Sequence, residues 1–193
     1  MPTFIEIKQR DNLSRHSSFE AIAQACIEAH YLPPYPGNED VSLLRKVNRM
    51  HHGGVHAAFT ALSIDLMIYL YEKYQPELLV DANGHKINAE QIKLLKLAAI
   101  YHDAANTSES MGIPKNHADL FTKDMREIGY LENEISFFSN AIENKDGTEK
   151  NIFTKMLQSA DCLEIIRVVG KYFDRTRLDV YQDLKLDPKF LVE

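Results

Sequence analysis

The chain has 193 residues, of which 45% are hydrophobic and 26% charged, and its formal net charge is −6. This length suits one globular domain. The acidic balance argues against a basic surface for duplex nucleic acid or an anionic membrane. We recognise no signal peptide and no uncharged run of membrane-spanning length. Two distant cysteines, Cys26 and Cys162, form no paired framework, which fits a reducing, cytoplasmic setting.

Helical periodicity dominates the first half of the chain. The segment Ser17–Glu20 resembles a capping box and predicts a helix running to about Tyr31, which the proline-rich residues 32–37 end. A second helical region is expected at residues 40–74, with Gly53 and Gly54 interrupting it as a bend or a close approach. One stripe of this region is apolar and contains Val55, Phe59, Leu62, Leu66 and Tyr69.

Four more helices follow a predicted turn at residues 81–84. The third is capped at residues 88–91 and ends near Asn106, and a polar loop follows at residues 107–115. We expect Asn116 to cap the fourth, which ends at Gly129; the fifth spans residues 132–143 and the sixth residues 148–173. With no convincing strand, the sequence predicts an all-α, compact helical bundle of about six main helices in a single domain over residues 1–193. Its core spans about residues 40–173, and the weakly patterned last twenty residues are compatible with a piece of a longer protein.

The third helix carries the strongest chemical signal. Its residues 94–101 are apolar nearly all round, which is typical of a buried central helix, and His102 and Asp103 follow directly. An ionised aspartate in such a setting is costly unless something pairs with it. A bound cation meets that need, with one nitrogen and one oxygen ligand. The alternative is a His-Asp pair that merely caps the helix end.

Two other helices carry related signals. His52 and His56 are four residues apart and share one helix face, a spacing common among metal-binding histidines. The glutamate of the zinc-protease motif HExxH is missing, because Gly53 occupies its place. Asp161 is a further acid in an apolar helix. The alternatives are a solvated polar face, which we prefer for His51, and for Asp161 an ion pair with a neighbouring Arg or Lys.

The order His, His-Asp, Asp on separate helices resembles the HD superfamily of metal-dependent phosphohydrolases. The resemblance covers about residues 43–169 and rests on HHGGVHAAFTAL, LAAIYHDAAN and SADCLEII. It implies an HD-type helical domain in which His56, His102, Asp103 and Asp161 hold a divalent metal. His117, in KNHADLF, looks like an additional family histidine for a second metal or a substrate phosphate, although a simple helix-start histidine fits equally.

RMHHGGVH, NHADLF and DCLEIIRV are also similar to the phosphodiesterase domain of SidE-type bacterial effectors, which cleaves phosphoribosyl-linked ubiquitin. A catalytic histidine of that family matches His52. However, its second catalytic histidine falls at Asp161, and its catalytic glutamate falls near Ala105. The chain therefore resembles a relative that retains a metal site. The resemblance also implies that an effector would be delivered to a host cytosol.

The expected activity is hydrolysis of a phosphate ester by metal-activated water. Nitrogen and oxygen ligands suit Mn, Fe, Co, Ni, Zn or Mg. Asp103 would also orient or deprotonate the water, and His52 would protonate the leaving oxygen. Arg49 and Lys115 are candidate phosphate-binding cations, although an ordinary solvated surface charge is the better explanation for each one taken singly.

The expected partner is a small-molecule phosphate ester or a protein-linked phosphodiester. Three alternatives stay open: a metal-independent phosphodiesterase acting on phosphoribosyl-ubiquitin, a non-catalytic regulatory module with the same fold, and a structural zinc site. The last more often uses cysteine ligands.

Overall fold

The computed structural model describes residues 2–32, 53–81, 83–106, 112–147 and 151–169, without the side chains of 165–169. Within these ranges the chain forms seven α-helices, no strand, and one isolated antiparallel bridge between Val80 and Lys86. The predicted all-α fold is confirmed. In chain order the helices are α1 (Phe4–Asp11), α2 (Phe19–Cys26), α3 (Gly54–Tyr74), α4 (Ala89–Tyr101), α5 (Pro114–Glu127), α6 (Glu132–Glu143) and α7 (Ile152–Val169).

The two N-terminal helices differ from the sequence-based expectation. Helix α1 was not predicted, although Thr3 caps it through a hydroxyl that accepts from the Glu6 N–H at 3.3 Å. Helix α2 is capped by Ser18, whose hydroxyl accepts from the Ala21 N–H, so the proposed capping box beginning at Ser17 is wrong by one residue. A π-helix over Ile27–Tyr31 follows α2 directly. This π-helix ends at Tyr31, where the first predicted helix was expected to end.

Helix α3 begins at the glycine pair. Gly53 is its extended N-cap, and a Cβ on Gly54 would lie 3.0 Å from Ile27 Cγ2, so the glycine allows the π-helix to approach closely. The helix ends at Tyr74 as predicted, whereas residues 40–52 of the predicted second helix lie outside the described residues.

The apolar stripe of α3 is exposed, and the core-facing side consists of other residues. The buried set is His56, Ala57, Thr60, Ala61, Ile64, Met67, Ile68 and Tyr71. Apolar residues thus occupy both sides of α3. By length and composition alone it could cross a membrane, a property that core helices of soluble proteins share.

Helix α4 is the centre of the bundle, as the sequence predicted. Asn88 and Gln91 form its capping box, every residue from 94 to 101 except Lys96 is buried, and it packs against α2, α3, α5, α6 and α7. It ends at Tyr101 instead of near Asn106. Residues beyond it form a tight turn in which the Asn106 N–H donates to the Asp103 carbonyl at 3.1 Å.

The remaining helices complete the bundle. Pro114 is the first residue of α5, after the N-cap Ile113, so the predicted cap at Asn116 is wrong; proline is favoured there because that position needs no N–H partner. Helix α6 has the predicted bounds. Helix α7 packs against both α3 and α4, which brings three distant stretches of the chain together.

Candidate active site

Helices α3, α4 and α7 bring four side chains to one buried place. His56 lies in the first turn of α3, His102 and Asp103 follow the last turn of α4, and Asp161 lies in the middle of α7. Each of the four is at most 8% exposed. The structure therefore brings together the four residues that the sequence proposed as metal ligands.

Two imidazole nitrogens lie at the centre of this group. His56 Nε2 and His102 Nε2 are 3.1 Å apart. Asp161 Oδ1 lies 3.2 Å from the first and 3.3 Å from the second. Asp103 Oδ2 lies 3.5 Å from His56 Nε2 and 3.3 Å from His102 Nε2. Both carboxylates thus contact the same pair of nitrogens.

A backbone hydrogen bond on the side of the ring away from the site fixes the orientation of His102. Its Nδ1 donates to the Ala99 carbonyl at 2.7 Å, so its Nε2 is the nitrogen that faces the centre. A hydrogen bond of this kind is the usual support for a metal-binding histidine, because it sets both the tautomer and the ring orientation.

Lys145 is a member of the site that the sequence analysis missed. It lies in the turn after α6, where its buried Nζ contacts Asp161 Oδ2 at 2.6 Å. One oxygen of Asp161 therefore faces an ammonium group while the other faces the imidazoles. The ion pair considered as the alternative for Asp161 exists, and it coexists with the convergent group.

The charges of the site perturb one another strongly. Burial disfavours the charged form of His102, but Asp103 and Asp161 outweigh it and raise the pKa of His102 to about 10. Burial also opposes ionisation of Asp161, but Lys145 and His102 hold its pKa well below the usual range. Despite its burial, the pKa of Lys145 is raised by Asp161 and Asp103. At neutral pH, two anions therefore face two cations.

The donor set fits a divalent metal. One ligand atom each from His56, His102 and Asp103 lies within 4.8 Å of the other two, and all three residues are buried. Asp161 adds an oxygen that contacts both imidazoles. Two nitrogens and two oxygens suit first-row metals, provided that His102 gives up its proton.

The other predicted site residues are placed differently. His117, in α5, is buried, and its Nδ1 accepts from the Ala105 N–H at 3.0 Å, so it fixes the turn that follows Asp103. Lys115 is exposed and pairs with Asp119 at 3.1 Å. Arg49 and His52 lie outside the described residues. For these other residues, a role in substrate binding or catalysis stays a prediction.

The comparison with known families bears directly on this site. The sequence profile of the SidE phosphodiesterase (PDE) domain matches residues 34–190, which include all four convergent residues and Lys145. The chain belongs to this family. Membership in the SidE phosphodiesterase family indicates an enzyme, a hydrolase of phosphodiesters. No curated protein and no solved structure shows significant similarity to the chain.

Proposed function

We propose that the chain is a phosphodiesterase that uses water and a divalent metal held by His56, His102, Asp103 and Asp161. The observation that carries this proposal is the convergence of two imidazole nitrogens and two carboxylates at one buried point. Membership in the SidE phosphodiesterase family supports the reaction class. The HD-type assignment and a single domain over residues 1–193 are parts of the same proposal.

The metal would act as a Lewis acid that lowers the pKa of water and stabilises charge on a phosphate oxygen. The residues have separate tasks. Through its bond to Ala99, His102 keeps Nε2 directed at the centre. Asp103 is the candidate acceptor for the proton of the attacking water. His52 is proposed to protonate the leaving oxygen, and Arg49, Lys115 and His117 to bind phosphate.

Lys145 adds a reason for an anionic substrate. When a dication binds and His102 loses its proton, the two carboxylates balance the metal, and the charge of Lys145 remains. The loaded site then has one net positive charge in a buried setting. Such a charge attracts the single negative charge of a phosphodiester.

A direct experiment tests the proposal. The purified chain is loaded with Mn, Fe, Co, Ni, Zn or Mg, its bound metal is measured, and its hydrolysis of bis(4-nitrophenyl) phosphate and a phosphodiester panel is followed. Asp103→Asn is expected to lower activity about a hundredfold or more and to weaken metal binding, because it removes a charged ligand. Asp65→Asn, which changes an exposed aspartate paired with Lys96, is the matched control and keeps both. A wild-type chain that binds no divalent metal under any loading condition contradicts the proposal.

The second candidate function is a metal-independent phosphodiesterase acting on phosphoribosyl-ubiquitin. Two observations favour it: the family match, and the balance of charges within the described site without an ion. Against it, Asp161 and Ala105 stand where the resemblance places catalytic His and Glu. Activity that survives chelation, is lost in His52→Ala and is retained in His51→Ala supports this route.

Metal binding without turnover on any substrate would instead indicate a regulatory module. Delivery to a host cytosol is proposed only together with the effector role.

A further inference from the structure

One side of α3 has large apolar side chains in contact with solvent. The side of a surface helix that faces water is normally polar, because only the side toward the core needs apolar residues. Five residues form what we call the apolar face, each between 42% and 66% exposed: Val55, Phe59, Leu62, Leu66 and Tyr69. Residues 55–69 include no lysine or arginine and a single acid, Asp65, which pairs with Lys96 at 2.7 Å. A continuous exposed apolar surface of this kind is typical of an interaction site.

The spacing of the apolar face is that of a helix–helix contact. Its members follow one another at intervals of four, three, four and three residues, which is the heptad spacing that keeps side chains directed at a partner helix. With a rise of 1.5 Å per residue, the apolar face extends about 21 Å along α3. The small, half-buried side chains of Ala58 and Ser63 flank it and allow a second helix to approach closely. The surface therefore fits another helix.

The order of side-chain sizes matches a second copy of the same helix running in the opposite direction. Leu62 lies in the middle, seven residues from Val55 and seven from Tyr69. In an antiparallel pair about a two-fold axis at Leu62, Val55 would face Tyr69 of the second copy, and Phe59 would face Leu66. Small side chains then meet large ones and fill the space evenly. In a parallel pair, valine would meet valine and tyrosine would meet tyrosine, which leaves a gap at one end and crowding at the other.

The size of the apolar face suits a reversible dimer. At the exposures given, each of the five side chains presents about 100 Å² to solvent, so pairing two copies would remove about 1,000 Å² of apolar surface from water. The flanking atoms of α3 add to this and bring the contact to the lower range of specific interfaces, about 1,200 Å². We expect a Kd of about 10 μM from an interface of this size.

We propose that the apolar face of α3 is a homodimer interface in which two copies of α3 pack antiparallel about a two-fold axis at Leu62. A membrane surface is the less suitable occupant, because helices that lie on membranes carry lysines and arginines along their edges and residues 55–69 have none. The inference goes beyond the proposed function and depends on neither metal nor turnover. Loss of hydrolysis would leave the dimer standing, and a monomer could still be a hydrolase.

Sedimentation velocity of the full chain, from about 1 to 300 μM, measures the association. The wild type is expected to pass reversibly from monomer to dimer. Leu62→Asp places two carboxylates opposite each other at the axis and is expected to raise the Kd at least a hundredfold, while circular dichroism stays unchanged. Leu62→Ala, which adds no charge, should weaken the dimer about tenfold. The matched control is Leu131→Asp, at a leucine 60% exposed outside α3, where aspartate is a favoured N-cap residue; its dimer is unchanged.

Disulfide cross-linking tests the direction of the two helices. The chain has two cysteines, and both are buried, so an engineered cysteine on α3 is the accessible thiol. On oxidation, Leu62→Cys should cross-link to its own copy, because that position lies on the axis. Val55→Cys alone should stay uncross-linked, whereas its mixture with Tyr69→Cys should cross-link.

Four results would overturn the proposal. They are a wild type that stays monomeric over the whole concentration range, a dimer that persists in Leu62→Asp, no cross-link in Leu62→Cys, and a cross-link of Val55→Cys to itself. Flotation with vesicles of phosphatidylcholine and phosphatidylglycerol covers the remaining occupant. Monomers that bind these vesicles and lose this binding in Leu62→Asp would assign the apolar face to a membrane instead.

Discussion

Three buried aspartates show that a carboxylate in an apolar helix has more than one explanation. Asp124 of α5 is as buried as Asp103 and Asp161, yet its Oδ2 accepts from His30 Nε2 at 2.7 Å and from the Tyr101 hydroxyl at 3.0 Å. A hydrogen-bonding network thus suffices for one acid. What distinguishes the candidate site is that two acids and two histidines meet at one point.

Replacing Lys145 tests how the site is held without a metal. Lys145→Met leaves the Asp161 carboxylate without its ammonium partner and is expected to destabilise the metal-free protein by about 3 kcal/mol. Denaturant unfolding measures this loss. Added metal should raise the stability of the variant more than that of the wild type. In the variant the metal ion takes the place of the lost ammonium group beside Asp161, and no lysine is present to repel the ion. The control is Lys115→Met at an exposed pair, which contributes at most about 1 kcal/mol. Equal losses in the two variants would contradict the role of Lys145.

His102 predicts a pH dependence of stability. Its folded pKa, about 10, exceeds the value of 6.5 for an unperturbed histidine, so the protonated form favours the folded state. This stabilisation is complete below pH 6.5 and is lost as the pH rises through about 10. Unfolding free energies of the metal-free wild type should therefore fall over this window relative to His102→Asn. Metal affinity should rise over the same window, since binding displaces the proton. Parallel stability profiles for the two proteins would refute the assignment.

At the residue scale, the sequence predicted the four residues of the candidate site better than their surroundings. His102, Asp103 and Asp161 were found because they stand out in apolar helices, where charge needs a partner, and His56 was found from its spacing to His52 and from the order of the four residues. Lys145 carries no such signal: it lies in an ordinary polar turn, 16 residues before Asp161. Only the packing of α6 against α7 reveals that it points inward.

At the scale of helices, local sequence signals predicted some helix boundaries correctly and others wrongly. The capping box at Asn88 and the bounds of α6 were predicted because strong local rules act there. The start of α5 was misplaced because Pro114 outweighed Asn116. The exposed stripe of α3 shows a further limit: when both sides of a helix are apolar, periodicity cannot tell which one faces the core.

Asp124 links three elements and predicts a purely structural effect. Its contacts join α5 to the π-helix through His30 and to α4 through Tyr101. Asp124→Ala is expected to destabilise the fold by about 3 kcal/mol, as broken buried pairs do, while the metal affinity of the folded protein is unchanged. Asp119→Ala, on the exposed side of the same helix, is the control. Thermal unfolding combined with calorimetric metal titration gives both quantities. A loss of metal binding with unchanged stability would contradict this account.

For the molecule as a whole, removal of the metal is expected to leave the fold intact. The described helices bury one continuous hydrophobic core, and the charges of the site are balanced without an ion. The helical circular dichroism of the chelated protein should match that of the loaded protein, and unfolding should stay cooperative. Any rise in Tm on loading should scale with the metal concentration relative to Kd. Collapse of the helical signal on chelation would show that the ion is part of the core.

The ion pair of Lys145 with Asp161 therefore has a consequence for when the folded protein becomes active in a cell. Small zinc modules cannot fold until the ion binds, whereas under the proposed mechanism this chain would fold first and bind its metal afterwards. A cell short of the proposed metal would accumulate folded but inactive enzyme. Supply of the ion would then set when hydrolysis starts, without any new protein being made.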